Sequence, residues 1–448
     1  MSEHAYLGTA FHAPLPAQLE VVDGLIVVGA DGTIAAIHPK DSPEVERFRA
    51  AGKLTELKPG QYLLPGLVDL HVHAPQWPQL GKALDVPLEV WLQKHTFPLE
   101  ARYADLDFAK PVYESLVESL LANGTTTVLY FATIHLPATE LLADICLRRG
   151  QRALIGRVAM DDPEQCPPYY RDASAEAAAA DTRAFIDHVH GLPGNEAGLV
   201  KPVITPRFIP SCSDELLHSL GAMAQETGCH VQTHCSESDW EHNYVIERCG
   251  VTDTAALERY GLLSRKTVLA HGNFVSDADL ALIRQTGSGI AHCPLSNVYF
   301  SDAVLHVRKL IDENVHVGLG TDIAGGPSPS IFDSARQAVA ASRNRENGVD
   351  PAAHRNDRGC PDSRITATEA FWLATAGGGI ALDLPIGLFA VGYQFDAIVV
   401  DVNAPHSNLL FFPDDTTGDV LQKIIHNAGR TNITQVWVGG RLVHERAG

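Results

Sequence analysis

Four times along this 448-residue chain a short apolar run ends on side chains that bind metal ions or move protons. Leu67-Val68-Asp69-Leu70 leads to His71-Val72-His73. Val231-Gln232-Thr233 leads to His234, with Glu237 shortly after it. Val268-Leu269-Ala270 leads to His271, and Val317-Gly318-Leu319-Gly320-Thr321 leads to Asp322. Successive side chains of a strand point to opposite faces, so His71 and His73 project the same way and can reach one ion. In a parallel βα barrel the strands all end at one face, where the active-site loops lie. The recurrence therefore predicts a barrel with these residues at its mouth.

The rhythm between the runs agrees. Thr125–Tyr130, Ala153–Val158 and Val203–Thr205 are further short apolar segments, separated by helix-length stretches, as in repeated βα units. Asp172-Ala173-Ser174-Ala175-Glu176 and the four alanines that follow read as a helix, because alanine has the highest helix propensity. Towards the ends the pattern changes. Leu25–Val28 and Thr33–Ile37 flank Gly29-Ala30-Asp31-Gly32 as a hairpin. Asp396–Asp401 reads as a strand, and Gln435–Val438 and Arg441–His444 flank Gly439-Gly440. The expected architecture is α/β: a distorted (β/α)8 TIM-type barrel over residues 66–384, with a small β-sandwich domain built from 1–65 and 385–448.

Composition narrows the partners. Asp plus Glu number 54 against 34 Lys plus Arg, a formal charge of −20, and no basic run interrupts it. Such a surface repels polyanions, so no nucleic-acid partner is expected, and a small neutral ligand fits better. No apolar stretch reaches membrane-spanning length, and Met1–Tyr6 lacks the basic-then-apolar pattern of a secretion signal, so a cytoplasmic protein without a membrane partner is expected. The eight cysteines contain no C-x-x-C pair, which argues against a zinc ribbon and a disulfide framework. Cys235 beside His234 should point away from the mouth and pack.

Three histidines and an aspartate offer N and O donors suited to Zn²⁺, with Fe²⁺ the weaker candidate. A bound divalent ion lowers the pKa of water to ~7, so the expected chemistry is metal-assisted hydrolysis. Glu237, on the loop after the His234 strand, is placed to shuttle protons to a ring nitrogen and a leaving amine. Asp322 would take the first proton, and His271 would orient the attacking or developing oxygen. Asp69, at even spacing from the histidine pair, is expected to support a ligand or the barrel interior.

Pro65-Gly66-Leu67-Val68-Asp69-Leu70-His71-Val72-His73, with the later His234, Glu237, His271, His292-Cys293-Pro294-Leu295-Ser296-Asn297 and Gly320-Thr321-Asp322, resembles the amidohydrolase superfamily, in its mononuclear deaminase branch. Ala74-Pro75-Gln76, Leu84–Leu92, Thr96-Phe97-Pro98-Leu99-Glu100 and Thr205-Pro206-Arg207-Phe208 look like the guanine-deaminating family within that branch. The resemblance implies His71, His73, His234 and Asp322 as ligands to one Zn²⁺ per subunit, with Glu237, Asp322 and His271 as catalytic residues. It also implies a purine-base pocket of Gln76, Arg207, Phe208, His234, Glu237 and Asp322, and a homodimer. Gln76 and Arg207 would hydrogen-bond the base and Phe208 would stack on it. Arginine only donates, which suits a purine carbonyl and opposes an amino group.

Two departures bear on this. Two-metal members of the fold use a carboxylated lysine at the end of the fourth strand. Here Lys201 begins that strand and Arg207 stands at its end, which favours one metal. The P-C-x-x-C signature of the unrelated zinc deaminases is absent. Trp77-Pro78 and Ile209-Pro210 are expected to reshape the pocket. The rival readings are a deaminase of 8-oxoguanine, cytosine or a triazine, and a non-enzymatic barrel scaffold.

Overall fold

The structure is a computed structural model that describes residues 3–446; Met1, Ser2, Ala447 and Gly448, at the ends of the two outer segments, lie outside the described residues. The chain opens with His4–Leu15 (β1), Gln18–Val28 (β2), Ile34–Pro39 (β3), Leu54–Glu56 (β4) and Gln61–Pro65 (β5). It then enters eight strands that are all parallel: Leu67–His73 (β6), Thr125–Phe131 (β7), Arg152–Ala159 (β8), Val200–Pro206 (β9), His230–Cys235 (β10), Thr267–His271 (β11), Gly289–His292 (β12) and His316–Leu319 (β13). Their spatial order is their sequence order, β6 to β13. Helices between them cover the outside, so most of these strand residues are buried and read as near-continuous apolar runs. Leu129, Leu154, Val203, Val268 and Ala291, from β7, β8, β9, β11 and β12, cluster with Val68 and Leu70.

The barrel closes without a regular ladder between its first and last strands. Past β13 the chain runs beside β6: Asp322 N donates to His71 O at 2.8 Å, and His73 N donates to Ile323 O at 2.9 Å. The buried Asp69 carboxylate accepts from Thr321 N at 2.9 Å and Thr321 Oγ1 at 2.6 Å, and from His71 N at 3.2 Å. Asp69 thus holds both sides of the seam, the supporting role expected of it. Gly320 lies in this seam because a Cβ there would come within 2.9 Å of both His71 Cβ and Cys293 Sγ.

The last strands, Ala397–Asp401 (β14), Ile433–Val438 (β15) and Arg441–Glu445 (β16), return to the first ones. One mixed sheet runs β16-β15-β14-β5-β1-β2-β3, with β4 on β1. It folds over so that Tyr6 of β1 stacks on Phe395 at 4.4 Å and meets Trp437 of β15 at 5.3 Å. Buried Arg152, at the start of β8, pairs with Asp396 through Nη2–Oδ1 at 3.0 Å and Nε–Oδ2 at 3.1 Å, which ties this sheet to the barrel.

Three local differences from the sequence reading have physical reasons. β1 makes the sheet's longest pairing, with β2, yet Gly8, Thr9, His12 and Pro14 blur its alternation. β12 has only Gly, Ile, Ala and His, too short and small for a propensity signal. The alanine-rich helix is Ala175–His190: Ser174 caps it by accepting from Ala177 N, and Asp172 stays outside to pair with buried Arg157.

Candidate active site

The residues at the strand ends meet. The rings of His71 and His73 lie 4.9 Å apart, and His71 is 4.9 Å from the His234 ring and 5.3 Å from that of His271. His71 Nε2 is 3.3 Å and His73 Nε2 is 3.6 Å from Asp322 Oδ1, and His73 Nε2 faces His234 Nε2 at 3.0 Å. His271 and Asp322 carry these side chains from left-handed backbone, φ 74° and 50°, a conformation that costs of order 1–3 kcal/mol for such residues.

The donor atoms decide whether this cluster fits a divalent cation. His234 Nδ1 lies 2.6 Å from the carbonyl oxygen of Arg207 and must be its donor, which leaves Nε2 as a lone pair. His71 Nε2 is buried with no hydrogen-bond partner. Burial pushes the His71, His73 and His234 imidazoles well below the usual histidine range, so they stand neutral with lone pairs converging beside a carboxylate. Neutral imidazole and carboxylate are what zinc and iron bind, and the set fits.

His271 stands beside this cluster. Asn297 Oδ1 faces its Nδ1 at 3.0 Å, while Asn297 Nδ2 donates to Asn273 Oδ1 at 2.8 Å, and Asn273 Nδ2 donates to the carbonyl of Glu237 at 2.9 Å. The asparagine orientation makes His271 Nδ1 the donor and Nε2 an acceptor. That Nε2 sits 3.6 Å from Glu237 Oε1 and 3.9 Å from Asp322 Oδ2. Glu237 Oε atoms are desolvated, and burial first, then Asp322, raises the carboxyl well above its ordinary range. Its backbone N–H is held by Glu241 Oε2 at 2.7 Å. Asn273 and Glu241 carry no signal in the sequence, and Asn297 enters there only as the end of the His292–Asn297 motif, since isolated polar residues have no periodicity.

A concave, largely apolar cavity with a few convergent polar groups opens on this cluster, as small-ligand sites do. Its walls include His73, Gln76, Arg207, Phe208, His234, Glu237 and Asp322, so most of the residues singled out from the sequence line one space. Leu88, Trp91, Leu92 and Phe300 complete an apolar side. Arg207 follows β9 directly and is 2% exposed; its Nη1 donates to Glu100 Oε2 at 2.6 Å and its Nη2 to Glu100 Oε1 at 3.3 Å. Gln76 donates from Nε2 to Glu100 Oε1 at 2.8 Å and accepts from Ala324 N at 3.1 Å. Glu100, fully buried, ends the Thr96–Glu100 run of the resemblance but is given no role there; its neighbours in space supply one.

Some expected contributions lie elsewhere. Trp77 donates from Nε1 to Ser115 Oγ and packs with the outer core, and neither it nor Ile209 lines the cavity. His292 is buried beside His271, its pKa pushed down to about 3 by burial, and is not in the lining. Cys235 Sγ turns to Thr254 Oγ1, and burial raises its thiol, as fits a packing role.

The barrel, its seam and the histidine–carboxylate mouth define a hydrolase of one family: residues 62–443 match the model of the amidohydrolase family, and the chain belongs to it. Within the family, the relatives it resembles include guanine deaminases. The chain is 38% identical to guanine deaminase of Homo sapiens, over 98% of this chain and 96% of that one, and 39% identical to a probable guanine deaminase of Schizosaccharomyces pombe, over 98% and 83%. The crystal structure of guanine deaminase from C. acetobutylicum with guanine bound in its active site superposes with a TM-score of 0.87 at 30% identity, covering 98% of this chain and 100% of that one.

Proposed function

We propose that the chain deaminates guanine, converting guanine and water to xanthine and ammonia at the barrel mouth. One observation carries the reading: desolvated Glu237 lines the cavity between the metal-capable cluster and the Arg207–Phe208 wall, 3.6 Å from an imidazole that accepts rather than donates. The guanine-bound relative and the other guanine deaminases support the substrate.

In this reading His71, His73, His234 and Asp322 hold one zinc ion, iron being the weaker fit. A bound divalent ion would supply hydroxide at neutral pH by lowering the pKa of water to about 7. Arg207, a donor only, meets the ring carbonyl of the base, Gln76 borders the same edge, and Phe208 packs on its face. The attacked carbon is the one bearing the amino group. Asp322 accepts the first proton, and His271 takes a hydrogen bond from the attacking water through Nε2. Glu237 gives its proton to the adjacent ring nitrogen, takes the second water proton and passes it to the amino group, the C–N bond breaks, ammonia leaves, and the proton held by Asp322 returns to Glu237. Burial raises this carboxyl, which favours its holding the proton it has to give.

The test is ammonia release from guanine, adenine, cytosine and 8-oxoguanine, with bound metal quantified in the same preparation. Release from guanine alone or far above the others is expected, and none from guanine overturns the substrate. The family resemblance also supports a homodimer, a cytoplasmic setting and the division into 1–65, 66–384 and 385–448. Light scattering of the zinc-loaded protein at the mass of one chain would reject the dimer. Among the described residues no helix is long and apolar enough to cross a membrane.

A further inference from the structure

Arg207 cannot lose its proton, so a buried guanidinium needs a permanent counter-charge. Glu100 supplies it from the short helical run Phe97–Glu100, meeting both Nη atoms while its Oε1 also receives Gln76 Nε2. Phe97, from the same run, lies under the guanidinium at 5.1 Å. Glu100 itself is absent from the cavity lining. It therefore reaches a ligand only through Arg207 and Gln76. With both Nη groups committed to Glu100, Arg207 presents its remaining N–H groups in a fixed direction, and the pair as a whole carries no net charge.

We infer that Glu100 is a positioning residue that sets which charge state of a purine the site prefers, making it select the neutral base over an anionic one. The inference deepens the guanine-deaminating reading and rests on it. Its consequence lies in product release. Replacing an amino group by a second carbonyl makes the ring N–H more acidic, because the carbonyl delocalises the resulting charge, so the dioxo product carries more anion than the substrate at a given pH. A buried, unmatched Arg207 would hold that anion. Arg207 matched by Glu100 donates hydrogen bonds to a carbonyl without favouring the anion.

The readout is the ratio of the xanthine inhibition constant to the guanine KM, measured above neutral pH with bound metal quantified. In Glu100→Gln, which keeps the shape and removes the charge, the ratio is expected to fall tenfold or more, with metal content at the wild-type level. A ratio within twofold of wild type overturns the inference, and so does an equal fall that persists when Arg207 is already Gln. Arg207→Gln leaves Glu100 unmatched and should move the ratio the other way by tenfold or more. Adding Glu100→Gln to it should restore the ratio to within threefold of wild type, and this pair decides the matter should Glu100→Gln alone fail to fold. If the wild-type protein releases no ammonia from guanine, the functional reading fails. Calorimetric affinities of guanine and xanthine for the same variants still decide the charge selection, which needs no turnover.

Discussion

The two sides of the site, counted with the residues behind the cavity lining, handle their polar atoms in opposite ways. On one, His71 Nε2 and His271 Nε2 are buried with no partner, and His73 Nε2 and His234 Nε2 face each other at 3.0 Å. On the other, Gln76, Glu100 and Arg207 are knitted into one another and to the backbone of Ala324. A buried polar group without a partner costs about 1–3 kcal/mol, so the first wall is finished only by something from outside, whereas the second is finished by the fold. Metal binding and base recognition are thus separable properties of one cavity.

The strongest way to break this comparison is to remove a donor from the open wall. His73→Ala should abolish turnover and weaken metal binding by more than ~100-fold, beyond what outer-shell changes cause, while unfolding remains cooperative. Retained metal, measured by atomic emission, would refute the ligand set. Next in size, Glu237→Gln should lower kcat by ~10²–10⁴, the span of general acid–base catalysis, at unchanged metal content; near-normal turnover would remove Glu237 from the proton path.

Arg207→Ala attacks the closed wall. It strands the buried Glu100 carboxylate, and breaking a buried pair costs about 3–5 kcal/mol. Urea unfolding should show that loss, with guanine KM raised and metal still bound. A variant as stable as wild type would mean the wall is not pre-paired in solution.

The smallest effect separates two histidines of a single strand. His230 begins β10, at the end away from His234, and its Nε2 meets the carbonyl of Leu382 at 2.8 Å. Burial pushes its pKa down to about 4. The unfolded chain takes up this proton first as pH falls, so the contribution is complete above about 6.5 and is lost progressively down to about 4. His230→Asn should flatten that part of the stability–pH curve without touching metal content. An unchanged slope would show that His230 is not the group responsible.

What was legible in the sequence follows the same division. His71, His73, His234, His271 and Asp322 are ends of apolar runs, and strand period plus barrel topology suffices to bring them together. Glu100 sits in a helical excursion between β6 and β7, and no period links it to Arg207, 107 positions away. Its partnership is a tertiary fact. The same holds for Asn273, in the turn after β11, and Asn297, in the helix Pro294–Phe300, which together fix the His271 tautomer. β12 was missed because four small residues carry no pattern, although the seven other barrel strands already implied an eighth. The terminal sheet was read from its Gly-marked hairpins, while β1, with its interrupted alternation, was not.

The seam also has a meaning in time. Asp69 and Thr321 are 252 positions apart, and at 5–20 residues per second a ribosome needs roughly 10–50 s to make that stretch. Throughout it, His71 and His73 exist without the strand that closes the barrel or the carboxylate that completes their cluster. A ribosome-bound chain halted before Gly320 should therefore hold no tightly bound zinc, whereas one released past Asn432, after β14 has returned to β5, should; tight binding by the shorter chain would mean the site assembles before the barrel does.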